Sequence, residues 1–469
     1  MPDSIDFTEL RNRLEAVGQG HVARFWDELE AAQRSCLLSQ IDSIDFDQLA
    51  RLVAGEDEKP DFAALASRAV APPAVKADGS GATWTSQEAK QQGEQALAAG
   101  RVGAVIVAGG QGTRLGFDHP KGMFPIGPVS GRTLFEVFAD RLRAIAKRYS
   151  VQVPLYLMTS PATHEETLAY WSKNHFLGLP PDDVKIFCQG TMPAVDATTG
   201  KLLLEDKGRL ALSPDGHGGT VAALHRSGCL ADAAARGIDL LSYVQVDNPL
   251  VSLCDANLLG HHVMSGSEMT TQVVRKRFAT EKVGNVVIVD GRVQIIEYSD
   301  LPEQAANRHT ASGDLALWAG NIAVHVFDRS FLERASNWSH ALPFHRALKS
   351  VPFINEEGEL VQPNSPNAIK FERFIFDLLP HAEHAFVVEA LASEAFAPVK
   401  NANGAATDTP EQAMQAIVDL HRGWLEAAGV MVAPGARVEI NPLFALDANE
   451  LKLRFSPVDH VEGNRYFSA

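Results

Sequence analysis

The 469 residues include four cysteines, Cys36, Cys188, Cys229 and Cys254. They are too few for a disulfide scaffold, and with no CxxC pair among them they do not suit zinc. Buried thiols are the expected state. Cations are also in deficit: 42 Lys and Arg stand against 58 Asp and Glu, a formal net charge of −16. With no Lys/Arg-rich run to offset it, that balance argues against nucleic acid and anionic membranes as partners. It does not exclude a small polyanion, which is held by local amides, cations and a metal rather than by net charge. No apolar run reaches the ~20 residues needed to span a bilayer. The N-terminus, MPDSIDFTELRNRL, lacks a signal-peptide core, so a cytoplasmic location is expected.

What is present is an ordinary globular composition, 45% hydrophobic and 21% charged, long enough for two or three domains. Residues 1–83 predict an N-terminal helical segment and a linker. Apolar residues recur at helical spacing in FTELRNRLEAVG and HVARFWDELEAAQRSCLLSQI, and Ala71–Thr83 is rich in Pro, Gly and small residues. A helix is predicted over Thr85–Ala99, stopped by Gly100. From residue 84 to 403, β-rich runs such as VGAVIVA, VPLYLMTS, VKIFCQ and LLSYVQVDN alternate with helical stretches. That alternation predicts an α/β domain with a largely parallel sheet. Later segments, VGNVVIVDGRVQIIEYSDL and LALWAGNIAVHVF, read as an appended antiparallel portion. Residues 404–469, a helix followed by short strand-like pieces, read as a small C-terminal α+β lobe.

The most informative stretch is VGAVIVAGGQGTRLGFDHPKGMFPIG, Val102–Gly127. A buried strand runs straight into Ala108-Gly109-Gly110-Gln111-Gly112. Glycines at the carboxyl end of a strand let backbone amides approach phosphate oxygens, at the sheet edge where ligands sit. A P-loop fails, because no Lys-Ser/Thr pair stands in place, and GxGxxG fails, because the third glycine, Gly116, comes one residue late. A tight turn alone explains poorly three glycines together with the cations Arg114 and Lys121.

AGGQGTRLG followed by PKGM resembles the signature of the eukaryotic-type UDP-sugar pyrophosphorylases, most closely the UDP-N-acetylglucosamine pyrophosphorylases. The resemblance spans roughly residues 95–405. It continues in order through FCQGTMPAVD, LSPDGHGGTVAAL, VQVDNPLV, VGNVVIVDGRVQIIEYSDL, AGNIAVHVF, NAIKFERFIFDLL and FAPVKNANG. It implies a central Rossmann-like, GT-A-like nucleotidyltransferase mixed sheet between an N-terminal helical segment and a small C-terminal lobe. The implied activity is uridylyl transfer from UTP to N-acetylglucosamine 1-phosphate, with UDP-sugar and pyrophosphate as products. Magnesium is the implied cofactor. Neither nucleic acid nor membrane is an implied partner, and a monomer or weak homo-oligomer is expected. A UDP-glucose or broad-specificity pyrophosphorylase is the alternative within the class, and an inactive nucleotide-sugar sensor the alternative outside it. A glycosyltransferase on a similar sheet would lack the glycine loop with its two cations.

The resemblance assigns Ala108, Gly109, Gly110 and Gly112 to the nucleotide, and Arg114, Lys121 and Lys370 to its phosphates. Gln189 and Gly216 go to the uracil end, and His217 to the nucleotide. Asp247, closing the strand Leu240–Val246, takes the metal role, since a strand-end carboxylate suits a hard cation. Asn248, Gly284, Glu297, Asn321 and Lys400 are assigned to the sugar side. In PDGHGGT, His217 stands where N-acetylglucosamine members usually carry Asn, which is more like the UDP-glucose and broad-specificity members. AGNIA and IEYSD favour the N-acetylhexosamine branch. No ligand spacing is defensible for His261-His262, and Phe371, Phe374 and Phe376 read as core residues at helical spacing.

Overall fold

A computed structural model describes residues 7–55, 61–338, 342–455 and 459–468. The first six residues of the expected N-terminal segment lie outside them. The chain divides into two compact units. The smaller gathers residues 1–60, 190–219 and 342–375, and the larger comprises 61–189, 220–341 and 376–469. These boundaries differ from those read along the sequence, because segments distant in the chain share one core.

Within the smaller unit, helices α1 (Phe7–Ala16), α2 (Ala31–Asp42) and α3 (Phe46–Ala54) bury Leu10, Leu14, Leu37, Ile41, Leu49 and Leu52. These side chains pack with Val195, Leu202, Leu210, Ile369 and Phe371. The last two lie on strand Ala368–Glu372, the middle strand of a three-stranded sheet. One expected helix is corrected: from Gly20 to Glu28 the chain makes two short 3₁₀ turns, and α-helix resumes only at Ala31. A second correction concerns the phenylalanines. Phe371 sits on a strand and Phe376 in a 3₁₀ turn, both buried, whereas Phe374 is only half-buried. Their spacing mimicked a helix because it straddles a strand and the turn after it.

The larger unit holds a nine-stranded mixed sheet. Its strands are β1 (Val102–Val107), β2 (Leu155–Thr159), β3 (Val184–Cys188), β4 (Leu240–Gln245), β5 (Met269–Arg275), β6 (Asn285–Val289), β7 (Arg292–Ile296), β8 (Ala319–Asp328) and β9 (Ala385–Ala390). Their order runs β7-β6-β8-β4-β1-β2-β3, with β5 pairing β8 and β9. β1 to β4 are parallel neighbours, whereas β8 runs antiparallel to β4 and β5. β6 and β7 form the expected antiparallel hairpin, turning at Asp290-Gly291 with φ of 51° and 80°. Two adjacent positive φ values match the right-handed strand twist, which is why Asp-Gly marks such turns.

Helix α4 (Ser86–Ala98) starts where the sequence predicts, with Thr85 as N-cap and Glu88 closing the capping box. The stretch ahead of it, expected as a linker, is tied down: Val70 bridges to Ile288 and Val75 to Val388. Among the described residues, no helix is long and apolar enough to cross a membrane. The C-terminal portion begins with α8 (Pro410–Ala427) and has its own small core around Leu425, Val438, Leu451 and Phe467.

One helix crossing depends on missing side chains. Helix α4 meets α7 (Ala256–Ser265) so closely that a Cβ on Gly260 would lie 1.6 Å from the Ala89 carbonyl oxygen. A Cβ on Gly93 would lie 1.8 Å from that of Ala256. Gly260→Ala is therefore expected to force the helices apart, costing about 1–3 kcal/mol or more, and a thermal melt should show a lower Tm.

Candidate active site

Strand β1 is flanked on both sides by parallel partners, and its chain continues at their common carboxyl edge. The Ala108 N–H donates to the Met158 carbonyl at 2.7 Å, and the Val246 N–H to that of Val107 at 3.0 Å. The glycine loop and the loop after β4 thus leave side by side. Lys121, brought back by a hydrogen bond from its N–H to the Gly110 carbonyl at 3.0 Å, sets its Nζ 3.5 Å from Asp247 Oδ2. Both side chains are largely shielded from bulk water, so their attraction is less screened than a surface pair's.

The three loop glycines answer to different demands. A Cβ on Gly112 would strike the Phe117 carbonyl at 2.6 Å, and one on Gly109 would strike the Gln189 side-chain oxygen at 2.7 Å. Gly110 is not crowded in this way: the nearest atom to its Cβ position is Lys121 Cε at 3.9 Å. The fold itself does not require a glycine at 110. Arg114, on the short turn Thr113–Leu115, is exposed and has no ion pair among the described residues.

Gln189, expected at the base, lies over Gly109 and is buried. Gly284, Glu297 and Asn321, expected at the sugar, come together: the Asn321 N–H donates to the Gly284 carbonyl at 2.8 Å, and Glu297 Oε1 lies 2.7 Å from the Gly284 Cβ position. A bulge in the β5–β8 ladder follows Asn321, with Ala323 at φ 56°. Such an insertion re-aims the residues beside it. Lys400 follows Val399, whose N–H donates to the Asp247 carbonyl at 2.8 Å. Asn248 is placed differently from the sugar contact assigned to its side chain. It is 3% exposed, its Nδ2 donates to the Ala395 carbonyl at 2.8 Å, and its Oδ1 accepts from the Ala397 N–H at 3.0 Å. Both ends of the amide are taken up in holding the 395–397 backbone.

Gly216, His217 and Lys370 belong to the smaller unit. Gly216 has φ 81°, and a Cβ there would meet the Arg373 carbonyl at 2.4 Å, so packing on its own unit already demands the glycine. His217 stacks on Phe374 with ring centroids 5.3 Å apart, and its Nδ1 accepts the Ile375 N–H at 3.1 Å. Lys370 is half-buried on its strand, opposite Ala347.

Sequence reasoning missed the supports. Ser160 Oγ donates to the Gly109 carbonyl at 2.7 Å. Glu439, 5% exposed, accepts the N–H groups of Val129 and Ser130 at 2.8 and 2.7 Å, together with the Ser130 hydroxyl at 2.6 Å. That carboxylate fixes the segment leading from Lys121 to α5 (Leu134–Tyr149). Neither residue carries a sequence signal, because a lone Ser or Glu far along the chain has no motif. Of the unassigned pair, His261 accepts from Trp84 Nε1, and His262 bonds Thr270 and Asp328.

A family model described as UTP–glucose-1-phosphate uridylyltransferase matches residues 59–452. The chain belongs to that family. It is 36% identical over 433 residues to UDP-N-acetylhexosamine pyrophosphorylase-like protein 1 of Xenopus tropicalis, covering 89% of this chain and 84% of that one. It is 33% identical over 471 residues to UDP-N-acetylglucosamine diphosphorylase 2 of Arabidopsis thaliana, covering 96% and 92%. In three dimensions it matches a putative UDP-N-acetylglucosamine pyrophosphorylase from Entamoeba histolytica with a TM-score of 0.75, 31% identity, and coverage of 81% and 96%. The family match starts at residue 59, so α1 to α3 lie ahead of it.

Burial, with a lesser contribution from His345, pushes the His217 pKa down to about 4 from its usual 6.5. The unfolded chain therefore takes this proton first, and the stability present above pH 6.5 is lost as pH falls toward 4. Phe can keep the stack on Phe374 without titrating. His217→Phe is thus expected to lose less Tm than the unsubstituted protein between about pH 7 and 5, as a pair of thermal-melt series would show.

Proposed function

We infer that this chain transfers the uridylyl group of UTP to a sugar 1-phosphate, with N-acetylglucosamine 1-phosphate as the favoured acceptor. The observation that carries this reading is the Lys121–Asp247 pair at 3.5 Å beside a glycine that the fold does not require, Gly110. Opposite charges at the carboxyl edge of a parallel sheet suit a triphosphate, with amides and an ammonium for its oxygens and a carboxylate for its counter-cation.

In the reaction, a phosphate oxygen of the sugar 1-phosphate attacks the α-phosphorus. The new O–P bond forms as the bond to the bridging α–β oxygen breaks, and pyrophosphate leaves with that electron pair. The attacking oxygen is already anionic, so no general base is needed. The work left to the protein is alignment of two polyanions and neutralisation of the leaving group. The uncrowded backbone at Gly110 receives the triphosphate. Lys121 and the exposed guanidinium of Arg114 take the charge of the departing pyrophosphate. Gln189 addresses the uracil edge, donating and accepting through one amide. Glu297 and Asn321 offer directional hydrogen bonds to the sugar hydroxyls and acyl group. Lys400 supplies a further cation close to Asp247. In the smaller unit, Lys370 and His217 are assigned to substrate recognition.

The expected Mg²⁺ fits these residues. Among the described residues no cluster of three or more His, Cys, Asp or Glu side chains forms a cage. Asp247 alone suits a cation that keeps several waters and takes its other oxygens from substrate phosphates. When bound, such an ion neutralises phosphate charge.

Pyrophosphate release with UTP and a panel of glucose, galactose and N-acetylated sugar 1-phosphates tests the reading, and no release with any of them sinks it. Asp247→Asn and Lys121→Met are each expected to lower kcat about 10²–10³-fold, the scale for removing one charge-stabilising group. On the same panel, His217→Asn is expected to raise the kcat/KM preference for the N-acetylated sugar. An unchanged ratio would assign His217 to packing on Phe374.

A further inference from the structure

Inside the larger unit there is a cavity of about 340 Å³. Its walls come from α5, from the 249–252 segment directly after Asp247-Asn248, and from the C-terminal helix α8 with strand Val438–Ile440. Phe138, Leu250, Ile417, Leu420 and Trp424 make much of the lining apolar. The volume falls in the range of small-molecule sites.

The polar groups on this wall are unevenly satisfied. Asp140 is held by Arg132 at 2.7 Å and by Asn441 at 2.6 Å. Glu439 is taken by Val129 and Ser130, and Asp447 by Arg148 at 3.0 Å and Lys90 at 3.6 Å. Glu394 is exposed to solvent. Arg141 has no such partner. Its Nε donates to the Leu253 carbonyl at 2.9 Å, yet it has no ion pair among the described residues. Arg141 is half-buried, and burial pushes its pKa down while Asp255 and Asp447 partly oppose the shift. The nearby Cys254 thiol, pushed up to about 12 by burial, is neutral and offers no counter-charge. His421 also lines the cavity. Its Nδ1 accepts the Ile440 N–H at 3.1 Å, so the other ring nitrogen carries the proton, and no described residue accepts it. Cations drawn partly out of water are ordinarily paired. Asp255 and Asp447 act on Arg141 only at longer range, neither forming an ion pair with it, which leaves room on this cavity wall for an anion from outside the chain.

We propose that this cavity binds a small organic anion with an apolar body, its carboxylate or phosphate on Arg141 and His421 and its body against Leu420 and Trp424. The site is separate from the glycine loop and does not depend on the uridylyl-transfer reading.

The test is a fluorescence titration of the full chain with 1-anilinonaphthalene-8-sulfonate, an apolar anion, in the presence of saturating UTP. Saturable binding is expected, weakened at least about tenfold in Arg141→Met and within about threefold of the unsubstituted protein in Arg141→Lys, which keeps the charge. Leu420→Trp, which fills the cavity and leaves Arg141 in place, is expected to abolish binding and keeps the test decisive should Arg141→Met fail to fold. Octanoate and hexyl phosphate as competitors separate a carboxylate from a phosphate preference, and displacement by either supports the site. No saturable binding, displacement by neither, or equal affinity in Leu420→Trp at an unchanged melting temperature overturns it.

Discussion

Strand β1 has a parallel partner on each side, and Val107 is the residue through which most of the rest is placed. It stands opposite Met158 on one flank and Gln245 on the other. Because parallel strands all run the same way, the three chains that continue past this point emerge together. Those chains carry Ala108 to Gly112, Ser160 and Asp247. The short reach between Lys121 and Asp247 follows from that register. A slip by one residue would turn every side chain to the other face, leaving Asp247 directed away from the loop.

The parallel half of the fold is legible because local signals agree there. Apolar runs, helical spacing, and the Thr85 and Thr133 caps with Glu88 and Glu136 all point to the same elements, and the Asp290-Gly291 turn does the same for the antiparallel hairpin. The smaller unit is illegible for the opposite reason. Its core joins α1 to α3 with Val195, Leu210 and Phe371, and no local pattern records that residues so far apart share a core. The stretch from Ala71 to Thr83 misleads in a related way. Its composition is that of a free linker, but backbone pairing at Val70 and Val75 needs no particular side chain.

The candidate site divides along similar lines. Resemblance assigns Lys121, Asp247, Gln189 and the Gly284–Glu297–Asn321 group to the site; in the structure Lys121 meets Asp247, Gln189 lies over Gly109, and the last three residues lie together. Neither spacing nor resemblance tells why a glycine is a glycine. Gly112 and Gly216 are glycines because their own units press against them, whereas Gly110 is not pressed at all. The bulge after Asn321 has the same invisibility: Ala323 adopts a left-handed φ of 56° with no glycine to announce it.

Asn248 gives the Asp-Asn pair after β4 a meaning as one mechanical part. Two hydrogen bonds to its amide and one to the Asp247 carbonyl tether three points between Ala395 and Val399. An acid at 248 would lose the donor and set a charge against the Ala395 carbonyl, while an aliphatic residue would lose both bonds. An outward swing of the segment leading to Lys400 would break all three bonds at once.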